Sequence, residues 1–299
     1  MMQYVRLGKT EIRISRIGMG GMSLEDNPAS EAIVHEAIEA GINYFDTADI
    51  YGHGSNEVML GKAIKWKRNQ LIIASKVGNR PRSDGKGLNW DPSKQHILLS
   101  IEETLKRLGT DYLDLYQLHG GMISDRSEEA IEAFELLKKQ GKILQYGISS
   151  IRPNVIRRWV KESKIVSVMM QYSLLDRRPE EECLDLLSKS GIGVLVRGAV
   201  AQGLLVNKKE REYIGRSAEE VRAAKEMIHR FSGDSRSPAQ TAIQFALYHP
   251  AVSSTIIGIR TVDQLREAIA VFDVPWLSEE EFGELRKVIG ENYYEEHRE

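Results

Sequence analysis

The 299-residue chain has one cysteine, little net charge and no long apolar run, and each shortage removes a class of protein. Cys183 alone can form neither an internal disulfide nor a multi-cysteine metal centre. Beside Leu184 and Leu187 it reads as helix packing, since a free thiol behaves as a small hydrophobe. The 41 Lys plus Arg and 43 Asp plus Glu leave a formal charge of -2, so no global field draws the chain to nucleic acid or an anionic membrane. No stretch stays apolar for the roughly 20 residues that a bilayer span needs. The opening MMQYVRLGKTEIRIS carries charges throughout, unlike the apolar core of a signal peptide, so a cytoplasmic location is expected. His35, His53 and His96 have no partners at ligand spacing, and no metal is expected.

What is present is alternation. Short apolar, β-branched runs take turns with longer amphipathic ones, the pattern of repeated βα units. Strands are expected near Ile17–Gly20, Ile42–Asp46, Leu71–Lys76, Leu113–His119, Gln145–Ser149, Val166–Gln171, Gly193–Arg197 and Thr255–Gly258. Eight such units predict a (β/α)8 TIM barrel, an α/β architecture that fits roughly 250 residues in one domain. Residues 1–299 therefore read as a single domain. The segment QYVRLGKTEIRISRIG predicts an N-terminal β-hairpin plugging the amino-terminal end of the barrel. Ile97, Leu98, Ile101, Leu105 and Leu108 mark a helix face that packs on the barrel. Ser217 with Glu220 and Ser278 with Glu281 match capping boxes and start two extra helices late in the chain. The polar connection Gly78–Asp91 is either a mobile surface loop or a lid with Trp90 as its apolar contact.

Asp46, Tyr51 just beyond it, Lys76 and His119 stand at or near the ends of predicted strands. Parallel neighbours in one barrel would bring them to one mouth. Each alone has an ordinary explanation: a turn cap, a half-buried aromatic, a surface charge, a turn hydrogen bond. Together they describe an acid. A phenol titrates near 10, too high for easy donation at neutrality unless a cation stabilises its phenolate. Lys76 can supply that charge, Asp46 can keep the lysine ionised, and His119 can orient a carbonyl oxygen or assist its protonation.

These residues resemble the aldo-keto reductase family along nearly the whole chain: FDTADIYGHGSNE around Asp46 and Tyr51, IIASKVG around Lys76, DYLDLYQLHG around His119, then QYGISS and Gln171-Tyr172-Ser173-Leu174-Leu175. The resemblance implies reduction of aldehydes or ketones with NADP(H), Tyr51 acting as general acid/base, Lys76 and Asp46 tuning it, and His119 orienting the substrate. It implies a cofactor extended across the barrel mouth. Gly18-Met19-Gly20-Gly21 indeed lacks the spacing of a Rossmann fingerprint. By the same resemblance Gly20, Met22 and Asp46 lie along the cofactor, and Ser149 and Gln171 hold the carboxamide. The loop Arg197 to Leu205 follows the seventh strand, with Gly198, Val200, Gln202 and Gly203 as contacts. Arg197 replaces an aromatic frequent in the family; its guanidinium can stack on the nicotinamide, or it is a rim arginine paired with an acid.

Gly258, Arg260 and Gln264 fall where the resemblance places the adenosine 2′-phosphate and adenine. Lysine, arginine and asparagine are common at the positions of Gly258, Gln264 and Ala268, which leaves Arg260 as the cation for the phosphate. Ser150 stands where asparagine is common. The acidic tail GENYYEEHRE reads as a solvated end; folded toward the mouth, it would let Tyr293 or Tyr294 shape the substrate pocket. Two other readings stay open. One is a nicotinamide-binding sensor resembling potassium-channel β subunits. The other is a phosphate-handling barrel isomerase, which needs no reduced nicotinamide. A monomer or weak homo-oligomer is expected, with a small carbonyl compound as its partner.

Overall fold

The computed structural model describes residues 1–82, 84 and 86–298; Ser83 and Gly85 of the expected loop, and Glu299 of the tail, lie outside the described residues. A hairpin of β1 (Tyr4–Arg6) and β2 (Arg13–Ser15) opens the chain. The barrel strands are β3 (Ile17–Gly20), β4 (Tyr44–Asp46), β5 (Ile72–Val77), β8 (Leu113–Leu118), β9 (Ile143–Ser149), β10 (Ser167–Gln171), β11 (Gly193–Arg197) and β12 (Val252–Gly258). All pair in parallel and close in that order, β12 returning to β3. All eight expected strands are therefore present, with ends moved by up to three residues.

Between β5 and β8 the expected irregular connection is instead ordered by a second hairpin, β6 (Asn79–Pro81) against β7 (Leu88–Trp90). Polar composition hid it, because Asn79–Pro81 has no apolar alternation and Leu88–Trp90 is too short at three residues for its alternation to stand out. The extra helices are as expected: Ala218–Arg230 and Glu279–Lys287 each begin with the complete Ser/Glu capping box. A third box, Ser237 with Gln240, starts Pro238–Tyr248, with proline in its first turn. The face through Ile97, Ile101, Leu105 and Leu108 is buried on Lys94–Leu108, and Cys183 is buried as packing.

The interior has two layers of packing. Outside the strands, their outward side chains meet the helices in one continuous apolar cluster. Inside, Tyr44, Ala74, Leu115, Met169, Leu195 and Ile256 pack with Leu7 and Ile14 from the opening hairpin. Leu7 and Ile14 are fully buried, so the hairpin does plug the barrel's lower end. Leu7→Ala should lower unfolding stability by about 3 kcal/mol through lost burial and a residual cavity, measured by urea denaturation with an unchanged slope.

Candidate active site

Strand periodicity builds the site. Inward residues recur every second position. Above the apolar layer of Tyr44, Ala74, Leu115, Met169 and Leu195 come, two residues further along each strand, Asp46, Lys76, Gln117, Gln171 and Arg197. The register sets Gly20 beside Asp46, Lys76 beside Gln117, and Gln171 beside Arg197. One layer of the barrel is thus apolar and the next is polar, at the carboxyl ends of the strands.

Asp46, Tyr51, Lys76 and His119 meet there. The Lys76 ammonium, only 1% exposed, lies 2.5 Å from Asp46 Oδ2. It also donates to the Thr47 carbonyl at 2.8 Å and lies 3.4 Å from the Tyr51 hydroxyl. Burial opposes its charge, but Asp46 and then Tyr51 hold the lysine above its ordinary range, so it keeps its proton. Burial also raises the Asp46 carboxyl, with Lys76 and Gln117 pulling it back. Gln117 Nε2 reaches Asp46 Oδ1 at 3.3 Å and was not singled out from sequence. Its signal was available: it is the inward residue between Leu115 and His119.

Tyr51 is half-buried on the turn after β4. Gly52, His53 and Gly54 all have positive φ, which reverses the chain sharply into the helix Ser55–Ile64. Asn56 in that helix fixes the turn from below. It accepts from Thr47 Oγ1 and donates to the Gly21 and Leu24 carbonyls, a buried tie that sequence reasoning also missed. The ring of His119 stands edge-on to Tyr51, with centroids 6.0 Å apart. Burial, then Lys76 and Arg197, push the imidazole down to about 3, so it is neutral near pH 7. Its Nδ1 is buried without a hydrogen-bond partner among the described residues.

A crevice of about 1150 Å³ opens over these groups. Tyr51, Lys76, His119, Met22, Ser149 and Arg197 line it, while Gly258, Arg260 and Gln264 lie outside its lining. Gln171 is held from both sides, accepting from Arg197 Nη1 at 2.6 Å and donating to the Tyr213 hydroxyl at 3.2 Å. Arg197 thus meets an amide and, among the described residues, no acid of the kind the alternative reading expects. In the following loop Gly198, Gln202 and Gly203 have positive φ, and Gln202 accepts from Arg211; Val200 packs on the core. Gly20 and Gly258 are register neighbours at the rim. Arg260 is exposed and has no carboxylate partner among the described residues, while Gln264 turns back to accept the Arg260 N–H. Ser150 accepts from the Arg152 N–H.

Two covers were only partly foreseen. Trp90, at the end of β7, lies over Gly78 and Gly120, where an added Cβ would come within 2.8 and 3.1 Å of its ring. Its indole donates to Asp125, and Asn79 donates to the His119 carbonyl. The tail is not a free solvated end. Asn292 accepts the Arg177 N–H, the Asn154 N–H donates to the His297 carbonyl, and Arg298 pairs with Glu181. Tyr293 and Tyr294 both reach the crevice wall, and Tyr294 is 5% exposed.

The model of the aldo/keto reductase family matches residues 16–289. The chain belongs to the aldo/keto reductase family. It is 46% identical to the uncharacterized oxidoreductase YqkF of Bacillus subtilis over 99% of this chain and 100% of that one. It is similar to the holo form of aldo-keto reductase AKR11C1 from Bacillus halodurans, with a TM-score of 0.93 and 42% identity over the whole of both chains. The NADH-specific methylglyoxal reductase of Escherichia coli is 30% identical over 71% of this chain and 72% of its own. The aldo/keto reductase assignment makes the chain a carbonyl-reducing oxidoreductase on a TIM barrel and fits its polar layer at the carboxyl ends.

The neutral His119 has a consequence for stability. An unfolded histidine binds a proton near 6.5 that the folded one refuses until about 3, so this group's contribution falls as pH drops through that window. His119→Gln should flatten part of the acid loss, seen as a variant-minus-parent Tm difference that grows as the pH is lowered.

Proposed function

We propose that the chain is an NADPH-dependent reductase of aldehydes or ketones in which Tyr51 is the proton donor. The observation that carries this reading is the Tyr51 hydroxyl 3.4 Å from a buried ammonium that is itself locked on Asp46, on the wall of a crevice large enough for a dinucleotide and a small substrate. When bound, reduced nicotinamide supplies the hydride that adds to the carbonyl carbon. Tyr51 gives the carbonyl oxygen its proton, and Lys76 stabilises the phenolate left behind. His119 is neutral, so it orients the carbonyl by a hydrogen bond and does not compete with Tyr51 as a stronger acid.

The donor set suits the cofactor. Gly20 and Gly258 are register neighbours at the rim and present no side chain there to an extended molecule. Ser149 and the oriented Gln171 would hold the carboxamide, and Met22, Arg197 and the backbone from Gly198 to Gly203 would hold the rest. Arg260 would hold the 2′-phosphate with its exposed guanidinium fork. One relative's name specifies NADH, so coenzyme choice turns on this residue and not on family membership.

Tyr51→Phe should slow carbonyl reduction by about 10²- to 10⁴-fold while reduced-cofactor binding, followed by fluorescence, stays near the parent value. Continued reduction at the parent rate would remove Tyr51 from its role. A flat response of the parent enzyme across an aldehyde panel, with tight cofactor binding, would instead favour the sensor reading. Arg260→Ala should weaken NADPH binding about tenfold and leave NADH binding nearly unchanged; equal losses, or an initial preference for NADH, would overturn the phosphate assignment.

A further inference from the structure

The turn that presents Tyr51 rests on a second group of charges, which the proposed chemistry does not use. Ser75 alternates with Lys76 on β5 and donates at 2.6 Å to Glu57, a carboxylate with no exposure at all. Glu57 also holds Arg107 Nε at 2.6 Å. Arg107 packs in turn against Gly54, where an added Cβ would lie 2.7 Å from its Cδ. Lys76 closes the other end of the turn, with its ammonium on the Thr47 carbonyl and its own carbonyl 3.4 Å from the Asp49 N–H.

Asp49 sits between these two clamps, two residues before Tyr51. Its Oδ1 is buried and has no hydrogen-bond partner among the described residues. The charged and titratable groups around it are Glu57 from the helix Ser55–Ile64, Arg107 from Lys94–Leu108, Lys76 from β5 and Tyr116 from β8. Arg107 therefore faces two carboxyl groups, and its Nε is already committed to Glu57. Lys76 is committed to Asp46. A proton would relieve the buried Oδ1 without drawing Lys76 from Asp46 or Arg107 from Glu57.

We propose that Asp49 is a proton-binding positioning residue for Tyr51: neutral, it leaves Lys76 to Asp46 and the phenol, and ionised, it competes for Lys76 and Arg107 and slows proton donation. Burial, and then the Glu57 carboxylate, push the Asp49 carboxyl up to about 7 against the pull of the Ile50 N–H, Arg107 and Lys76, which puts the change in a physiological range. The added negative charge opposes the phenolate that forms as Tyr51 gives up its proton, so reduction should slow as pH rises. The inference rests on the reading of Tyr51 as the acid.

The test compares the parent enzyme, Asp49→Asn and Glu57→Gln over a range of about pH 5.5 to 8.5, using single-turnover oxidation of bound NADPH by an aromatic aldehyde together with Tm. The parent rate should fall about threefold or more through neutrality, while Asp49→Asn, permanently neutral, stays nearly level. Glu57→Gln should move the parent's midpoint down by about one pH unit, because the like charge is gone.

Tm gives a readout independent of turnover. Between about pH 4 and 7 folded Asp49 retains a proton that its unfolded counterpart has lost, so its contribution to stability declines as pH rises, and Asp49→Asn should abolish that decline. Parallel rate profiles with a constant Tm offset would overturn the proposal, as would a midpoint unmoved by Glu57→Gln. If Tyr51→Phe keeps full turnover, the acid assignment fails while the Tm comparison still decides whether Asp49 binds the proton.

Discussion

The buried ion pair of Lys76 and Asp46 is the constraint on which the site depends. An ammonium and a carboxylate withdrawn from water cost several kcal/mol each, and removing one partner leaves the other uncompensated at about 3–5 kcal/mol. Here the cost is met by completeness: Lys76 has Asp46, the Thr47 carbonyl and the Tyr51 hydroxyl, and Asp46 has Gln117 on its second oxygen. Neither charge can leave without stranding the other. The pair therefore fixes the carboxyl ends of β4 and β5 against one another, and Tyr51 is presented from a turn whose beginning that pair already holds.

Around that pair the mouth is built from elements that belong to no barrel strand. Trp90 covers Gly78 and Gly120 beside His119, which works because neither glycine has a Cβ to keep the indole away. On the other side the tail is drawn in by Arg177, with Arg216 binding the Gly290 carbonyl. Arg177 and Arg216 are nearly buried, and their partners include Glu180 and Glu220 as well as backbone carbonyls.

The barrel was readable because two independent signals agreed: β-branched runs at regular intervals and amphipathic stretches between them. Within the site, Asp46, Lys76 and His119 were readable because each stands at or beside a strand end, and Tyr51 because it follows one closely. Gln117 was as well placed, but an amide between two apolar residues looks like any strand-end polar group until its partner is known. Asn56 lay in a quoted string without a role, since its acceptors and donors come from Gly21, Leu24 and Thr47, far apart in sequence. The β6–β7 hairpin and the folded tail escaped for the same reason. Both are polar segments ordered by contacts with remote residues and not by local periodicity.

Residue order by itself determined the alternation of strand and helix, the caps, and which side chains fall on the inward face, because these follow from spacing of two and 3.6 along one chain. It also determined which reactive groups stand at strand ends. Tertiary structure alone decided their distances, the neutral state of His119, the burial of Asp49 near the Glu57–Arg107 pair, and the walling of the mouth by Trp90 and the tail. Those are properties of burial and of charges brought together from distant positions, and neither quantity is written in local sequence.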